Sequence, residues 1–344
     1  MKRFLLCLFI AATVSVSSLP AQKTGEKTKA AEKNAPKTAP GKLLIAFSSY
    51  RDRPRHPSIF FYEHDGVDKG KMAGSVGTPR ADNASGHPSL SQDGRFCTFT
   101  FEVENSTAKI FCWDRQEQKL VDMPVINDST KALLRPSFSG DSNLIAFSGW
   151  GRPGGPGPGY HVFLYDRPAK KLIDLPGLNS QQFDDRLPAL SGDGRFIAFV
   201  SNRKGGAGLT DLYLYDRKEN KLLDVPGLNT KYSELEPSLS ADGNLIAFSS
   251  ERPDGKGGRD IYLFDRRVGK YLPLPGLNTA AHEVSPSLSA DGRYLVFCSD
   301  RVDGEGDRDI YLYDREAQKL LPTPGLNSKT EDFDPCVIQV KAAE

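Results

Sequence analysis

The sequence lacks the short motifs that mark common catalytic and metal-binding sites. Its 344 residues contain no His-Glu-x-x-His pattern, no Cys-x-x-Cys pair and no Gly-x-Ser-x-Gly nucleophile turn, and its five histidines are scattered. The Gly-rich stretch at 149–161 has no Gly-Lys-Ser or Gly-Lys-Thr ending, so it does not match a phosphate-binding loop. We therefore expect no catalytic activity and no cofactor.

A hydrophobic run long enough to span a bilayer is also missing. The apolar segment at 4–14 follows Lys2 and Arg3, and small residues lead from it to Ala21. This layout is typical of a secretory signal peptide, and the run is too short for a transmembrane helix. We predict a signal peptide at 1–21 and export to the periplasm or the medium, with no membrane insertion after cleavage.

Residues 22–41 contain no aromatic residue and no β-branched apolar residue, but are rich in Lys, Ala and Pro. Such a segment cannot bury enough apolar surface to order itself, so we predict a flexible leader. The leader and signal peptide carry more positive charge than the +1 of the whole chain, which leaves the remainder mildly acidic. Nucleic-acid binding needs a basic surface, and we therefore expect no nucleic-acid partner.

What the sequence does contain is an internal repeat. A Pro-x-[Leu/Phe]-Ser-x-Asp pattern recurs about every 49 residues, and its prolines are Pro88, Pro136, Pro188, Pro237, Pro286 and, as a partial copy, Pro335. A repeat of this length holds several short strands, which is the size of a propeller blade.

One period can be divided into four strands. The segment PSLSADG at 286–292 is a short strand ending in an Asp-Gly turn, and RYLVFCS at 293–299 is almost wholly apolar, as expected for a strand covered on both faces. DIYLYD at 309–314 alternates in period two, and KLLPTP at 319–324 suits an edge strand.

The second strand occurs six times, which predicts an all-β, six-bladed propeller of four-stranded blades at 42–340, with a tail at 341–344. The first copy lacks its inner strand, whereas an extra one lies at 334–340. We expect this C-terminal strand to complete blade one and close the ring, which removes exposed sheet edges.

The segments PSLSADGRYLVFCSDR at 286–301 and DIYLYDR at 309–315 resemble the propeller repeat of the TolB family of periplasmic proteins. The resemblance covers about residues 42–340 and implies a propeller in the cell envelope. The chain departs from TolB in having only the short leader before blade one, where TolB has an α/β domain. The resemblance therefore supports membership in the repeat class more strongly than a role in a Tol-Pal system.

Loop lengths predict which face of the propeller binds. The second-to-third strand loops and the blade-to-blade loops are long, and alternating strand direction places both on one face. Function often lies on long loops held by a rigid scaffold, so we expect binding on this long-loop face. The recurring Pro-Gly-Leu-Asn segments on that face are interpreted as structural turns, with Leu filling the gap between blades.

The residue before each inner-strand proline should lie at the channel mouth. These six residues are His87, Arg135, Leu187, Glu236, Ser285 and Asp334. His87, Arg135, Glu236 and Asp334 are our candidates for recognising a peptide or small polar ligand. The alternative is a solvated rim without a specific ligand.

Arginines follow the second strand in four blades. Arg203, Arg252 and Arg301 each precede a third strand that opens with Asp, namely Asp211, Asp260 and Asp309, so an ion pair across the hairpin is expected. Arg51 has Ser58 in that place. Together with Arg53 it makes the loop of blade one the candidate for an anionic partner.

Three further features have two interpretations each. Trp150 and Tyr160 flank the Gly-rich insert and are candidate interface aromatics, unless the insert is merely disordered.

Asp303, Glu305 and Asp307 form a weak candidate calcium site. The alternative is that this loop is one blade's variation on a shared turn. Cys97 and Cys112 lie on adjacent strands and could form a disulfide in an oxidising compartment, or remain two buried thiols.

We expect the mature chain to be a monomeric, non-catalytic scaffold that binds an envelope protein or peptide through its long-loop face. The alternative is a carbohydrate-active enzyme, a lyase or hydrolase with a site at the channel mouth. Some pectin-fragment lyases resemble this repeat and hold a metal with histidines that face the channel. Here only His87 occupies a channel-mouth position.

Overall fold

The computed structural model describes residues 41–77, 84–103, 107–127, 132–151 and 159–340. Within these ranges the chain forms six four-stranded antiparallel sheets, and the six-bladed propeller expected from the repeat is confirmed. The predicted signal peptide, residues 22–40 of the predicted leader and the C-terminal tail lie outside the described residues.

The first three blades have these strands, given from the inner to the outer strand. Blade one contains β24 (Asp332–Val340), β1 (Lys42–Ser49), β2 (Ser58–His64) and β3 (Gly70–Ser75). Blade two contains β4 (Ser85–Leu90), β5 (Phe96–Val103), β6 (Thr107–Asp114) and β7 (Lys119–Leu120). Blade three contains β8 (Leu133–Phe138), β9 (Leu144–Trp150), β10 (Tyr160–Asp166) and β11 (Lys171–Ile173).

The remaining blades repeat this order. Blade four contains β12 (Asp185–Leu190), β13 (Phe196–Ser201), β14 (Asp211–Asp216) and β15 (Lys221–Leu223). Blade five contains β16 (Glu234–Leu239), β17 (Leu245–Ser250), β18 (Asp260–Asp265) and β19 (Lys270–Leu272). Blade six contains β20 (Glu283–Leu288), β21 (Tyr294–Ser299), β22 (Asp309–Asp314) and β23 (Lys319–Leu321).

The ring closes where the C-terminal strand joins the N-terminal one. β24 pairs with β1 in antiparallel register from Lys42 opposite Val340 to Ser49 opposite Asp332. The expected completion of blade one by the last strand is thereby confirmed. The closure covers the inner edge of β1, which would otherwise present unpaired backbone groups.

The hydrophobic core lies between neighbouring blades. One cluster, for example, combines Phe47 and Val337 of blade one with Val296 and Leu312 of blade six. The leucines of the Pro-Gly-Leu-Asn segments are almost fully buried in these clusters, as expected: Leu178, Leu228, Leu277 and Leu326. The near-continuous apolar second strands are buried on both faces for this reason.

The asparagines of these segments bind the third strand of the preceding blade. Asn278, for instance, accepts a hydrogen bond from the backbone N–H of Ile261 at 3.0 Å and donates to its carbonyl oxygen at 2.9 Å. The same pair of bonds joins Asn179 to Val162 and Asn327 to Ile310. The structural interpretation of these segments is confirmed.

Hydroxyl groups of the inner strands join one blade to the next. The backbone N–H of Leu288 donates to Oγ of Ser238 at 3.0 Å, and the N–H of Val337 donates to Oγ of Ser287 at 3.1 Å. The second Ser of the repeat, such as Ser289, caps the Asp-Gly turn by bonding Asp291 at 2.5 Å. Both repeated serines therefore serve the fold.

The two sets of long loops lie on one face, as predicted, and they also pack against each other. Gly257, in the loop between β17 and β18, lies so close to the next blade-to-blade loop that a Cβ atom there would clash with the carbonyl oxygen of Ala281. Gly208 and Gly306 make the equivalent approach in blades four and six. The described part of the chain contains no helix of the length and apolarity needed to cross a membrane.

Candidate binding site at the channel mouth

A backbone irregularity repeated in every blade builds the channel mouth. Each inner strand shifts register against its neighbour, and the residue before the proline adopts a positive φ between 50° and 57°. This conformation is unusual for residues other than Gly, so six copies are maintained only because the packed ring determines them. All six side chains line the central cavity: His87, Arg135, Leu187, Glu236, Ser285 and Asp334.

The four polar candidates come together although they belong to four different blades. Nε2 of His87 lies 3.2 Å from Oδ2 of Asp334. Nη2 of Arg135 lies 3.6 Å from Oε1 of Glu236 and 3.7 Å from Oδ1 of Asp334. The ring thus brings residues that lie between 48 and 247 positions apart in sequence into one cluster.

Serine side chains hold the two carboxylates in place. Oγ of Ser285 lies 3.3 Å from Oε1 of Glu236 and 3.4 Å from Oδ1 of Asp334. The backbone N–H of Ser285 donates to Oε2 of Glu236 at 2.8 Å, and Ser249 Oγ donates to the same oxygen at 3.0 Å. Sequence reasoning placed Ser285 at the mouth without assigning it a role. It did not identify Ser249. The sequence feature that could have indicated this residue is its position near the end of the second strand.

Burial shapes the charge of this cluster. It lowers the pKa of His87 to about 4, and although Asp334 opposes this effect, Arg135 reinforces it. Burial also pushes the pKa of Asp334 upward, but the nearby His87 and Arg135 outweigh it and the pKa lies below its ordinary value. At neutral pH the cluster therefore holds two carboxylates, one guanidinium and a neutral imidazole, a net charge of about −1.

The cavity below these residues has a volume of about 190 Å³. At the short-loop end the inner strands approach one another closely, since the N–H of Gly140 donates to the carbonyl of Gly192 and the N–H of Ala241 to that of Ala290, both at 2.8 Å. We expect a ligand to enter from the long-loop face.

The arginines after the second strands do not pair as predicted. Arg252 Nη2 contacts Oε1 of Glu234 at 3.1 Å, and Arg301 contacts Glu283 at the same distance. In each case the acid is the first residue of the inner strand of the same blade. Arg203 pairs in the same way, with Asp185. The predicted pairs are therefore wrong: Arg203 with Asp211, Arg252 with Asp260 and Arg301 with Asp309.

The aspartates that open the third strands instead bind their own loops. Asp260 accepts backbone N–H groups of Lys256 and Gly257, and Asp309 accepts that of Gly306 at 3.2 Å. Burial raises the pKa of Asp309 above its ordinary value. The Gly-x-Gly-x-x-Asp spacing behind this contact recurs in blades four, five and six, a sequence signal that went unused.

Arg51 belongs to the same set of arginines. Its Nη2 lies 2.8 Å from Oδ1 of Asp332 and donates to the carbonyl of Leu326, so its charge is already compensated within blade one. Ser58 opens the third strand of this blade, as the sequence indicated, and the acidic partner of Arg51 is the first residue of β24. Arg53 lies half-buried in the following loop.

Trp150 and Tyr160 form an edge-to-face pair where β9 ends and β10 begins. Their ring centroids are 5.1 Å apart, and Trp150 is 40% exposed. The backbone N–H of Tyr160 donates to Oδ1 of Asp184 at 2.9 Å, which fixes the end of the insert. Residues 152–158 of the insert lie outside the described residues.

The calcium hypothesis finds no support in the geometry. Asp303, Glu305 and Asp307 are exposed. Nowhere in the described ranges do three or more His, Cys, Asp or Glu residues come together in a way that could hold a metal ion.

The cysteines of blade two are free thiols. Cys97 lies opposite Trp113 and Cys112 opposite Thr98, so the two side chains point to opposite faces of the sheet. They belong to different core clusters, on the blade-one and the blade-three side. The suggested disulfide is therefore wrong, and the alternative of two buried thiols holds.

A scan against protein-family models finds no match, and a search of curated proteins finds none either. Solved structures do match. TolB from Acinetobacter baumannii is 18% identical with a TM-score of 0.61, covering 88% of this chain and 67% of that chain. A putative TolB from Agrobacterium tumefaciens is 16% identical with a TM-score of 0.52, covering 86% and 96%. An oligogalacturonate lyase from Vibrio parahaemolyticus is 14% identical with a TM-score of 0.51, covering 83% and 75%. These likenesses show a TolB-like propeller fold.

Proposed function

We propose that this TolB-like propeller is an exported, non-catalytic scaffold that binds an envelope protein through its long-loop face, with the channel mouth as its specific site. The observation that carries the proposal is the convergence of His87, Arg135, Glu236 and Asp334 from four blades at the mouth of one cavity. Polar groups that converge in a concave site give a ligand its orientation.

The surroundings of the mouth support a protein partner. The aromatic pair of Trp150 and Tyr160 lies on the same face, and Leu209 and Val302 are strongly exposed at the tips of the long loops of blades four and six. Aromatic anchors beside a polar cluster are common in protein interfaces. The TolB-like fold favours an envelope location for such a partner.

A second candidate is a glycan lyase or hydrolase that uses the same mouth. The contact of His87 with Asp334 favours it, because an imidazole beside a carboxylate is a common acid–base pair. Against it, a pKa of about 4 makes the imidazole of His87 a weak base near neutral pH. Non-catalytic binding is therefore the function that the geometry supports best.

Crosslinking in intact cells, followed by affinity capture and mass spectrometry, tests the proposal. The wild type should recover a defined envelope protein, and the mouth variant His87→Ala/Arg135→Ala/Glu236→Ala should lose it. A matched control on the same face is Asp303→Ala/Glu305→Ala/Asp307→Ala, which should retain it. Enrichment of oligosaccharides alone, or turnover of oligogalacturonate by the wild type, would replace the scaffold by the enzyme.

A further inference from the structure

The two carboxylates at the mouth lack a full counter-charge. Arg135 is the cation in contact with Glu236 and Asp334, and its Nη2 lies 3.6 Å and 3.7 Å from them. Charge-assisted hydrogen bonds between nitrogen and a carboxylate are shorter, about 2.7–2.9 Å. One guanidinium at these distances leaves hydrogen-bond capacity on both carboxylates unused.

These carboxylates are nevertheless fixed in position. Glu236 accepts the backbone N–H of Ser285 and the hydroxyl of Ser249, and Ser285 Oγ lies within 3.4 Å of Asp334. Neutral donors therefore orient the negative groups without neutralising them. A site that is ordered before its ligand arrives loses less entropy on binding.

His87 adds an acceptor to the same site. A carboxylate oxygen of Asp334 at 3.2 Å favours the tautomer with the proton on Nε2, which leaves a lone pair on Nδ1. Nδ1 is buried and has no hydrogen-bond partner among the described residues. A buried acceptor without a partner is costly, and turning the imidazole so that Nδ1 faces a donor in the cavity would relieve that cost.

We infer that the channel mouth binds a primary ammonium group of a peptide, presented either by a lysine side chain or by an amino terminus. An ammonium has three N–H donors and one positive charge. Glu236, Asp334 and Nδ1 of His87 supply three acceptors, and the mouth holds one negative charge in excess. The inference rests on the proposed function and names the chemistry of its ligand.

The size of the cavity agrees with a single inserted group. Its volume of about 190 Å³ is below the roughly 300–1,000 Å³ of pockets that enclose drug-sized ligands. One amine-bearing side chain or terminus fits this space, whereas a folded element does not. The rest of the peptide would lie across the long-loop face.

Small amide probes test the inference by NMR titration of the full mature protein, followed at the imidazole resonances of His87. The ammonium probes are Nα-acetyl-lysine methylamide and glycine methylamide, which separate a side chain from an amino terminus. We expect at least one of them to bind saturably. The neutral isostere Nα-acetyl-norleucine methylamide and the guanidinium probe Nα-acetyl-arginine methylamide should bind at least tenfold more weakly.

Variants assign the binding to the carboxylates. Glu236→Gln and Asp334→Asn should each lower the affinity for the ammonium probe at least tenfold. Arg135→Gln should raise this affinity because a competing cation is removed. Asp303→Asn, an exposed acid on the same face, should leave it unchanged. Thermal unfolding of each variant checks that the ring is intact, and Glu236→Gln retains an acceptor for the backbone N–H of Ser285.

Several outcomes would overturn the inference: no saturable binding of either ammonium probe, equal binding of the norleucine or arginine probe, or unchanged affinity in both folded carboxylate variants. The proposed function fails separately. If the mouth triple variant loses its captured protein but no ammonium probe binds, the scaffold function stands and the ammonium is wrong. If the probes bind but the mouth triple variant still captures the protein, the ammonium site stands and the mouth is not the site of protein binding.

Discussion

Nη2 of Arg252 lies 3.1 Å from Oε1 of Glu234, and both side chains are almost completely buried. The guanidinium also donates to the carbonyl of Leu228 at 3.0 Å and stacks over the ring of Tyr262 at 4.6 Å. One side chain therefore joins the second strand, the inner strand and the blade-to-blade loop. Blades one, four and six contain the same clamp.

Breaking this clamp should destabilise the ring strongly. Arg252→Met leaves the carboxylate of Glu234 buried without its cation, and a loss of about 3–5 kcal/mol in the free energy of unfolding is expected. Chemical denaturation measures it. Arg259→Met is the matched control, since Arg259 lies 3.0 Å from the exposed Glu251 in the same blade and should cost at most about 1 kcal/mol. Equal losses in the two variants would contradict the clamp.

The bidentate asparagine of the blade-to-blade turn gives a second stability prediction. Asn278→Ala removes the partner of both backbone groups of Ile261, and each group left unsatisfied costs about 1–3 kcal/mol. We expect the free energy of unfolding, measured by chemical denaturation, to fall by roughly 2–4 kcal/mol. Asn244→Ala, which removes only a contact with the exposed Asp242, should cost less than about 1 kcal/mol. A neutral Asn278→Ala would show that the turn is held by Leu277 alone.

The fold was predictable because its signal is repeated six times. The proline spacing determined the number of blades, and the missing first inner strand together with the extra last one determined the closure. The Arg252 clamp was not predictable in the same way, because two acids, Glu234 and Asp260, flank the arginine from neighbouring strands. Choosing between them needs the register of the sheet, which sequence alone does not contain.

The same limit explains the cysteines and the mouth. Cys97 and Cys112 are on paired strands, but a shift of one residue in register decides whether their side chains share a face. The position of His87 before the proline placed it at the channel. Its contact with Asp334 depends on the bulges of the two inner strands and on ring closure, which places β24 beside the inner strand of blade two. The set was predictable, and the pairings within it were not.

Acid should act on the mouth through His87. Its pKa lies below the ordinary 6.5, at about 4, so the unfolded chain binds a proton that the folded chain resists. This contribution to stability is present above pH 6.5 and is lost as the pH falls toward 4, by about 3 kcal/mol in total. Asp334, Arg135 and Glu236 are the charged groups that face it.

The variant His87→Gln tests this prediction, because it removes the titrating group and retains a polar side chain. Its free energy of unfolding should fall less steeply than that of the wild type between pH 6.5 and pH 4. Chemical denaturation across this range measures the pH dependence of stability, and NMR titration measures the pKa of His87. A midpoint for His87 near 6.5 would contradict the burial of the imidazole.

The thiols of blade two should survive export unpaired. Burial raises the pKa of Cys112 to about 12 and that of Cys97 well above its ordinary range, so neither forms a reactive thiolate in the folded protein. Alkylation of protein purified from the envelope should modify both only after unfolding, as read by mass spectrometry. A disulfide-linked peptide containing Cys97 and Cys112 would show that the register is wrong.

Photocrosslinking from the propeller surface tests the central claim most directly. A benzoylphenylalanine at Tyr50, which stacks on Phe333 beside the channel mouth, is compared with one at Lys218, which is exposed in a short-loop hairpin. In living cells the Tyr50 position should form an adduct with a defined envelope protein, and the mouth triple variant should abolish it. An adduct formed from Lys218 but not from Tyr50 would contradict the channel mouth as the binding site.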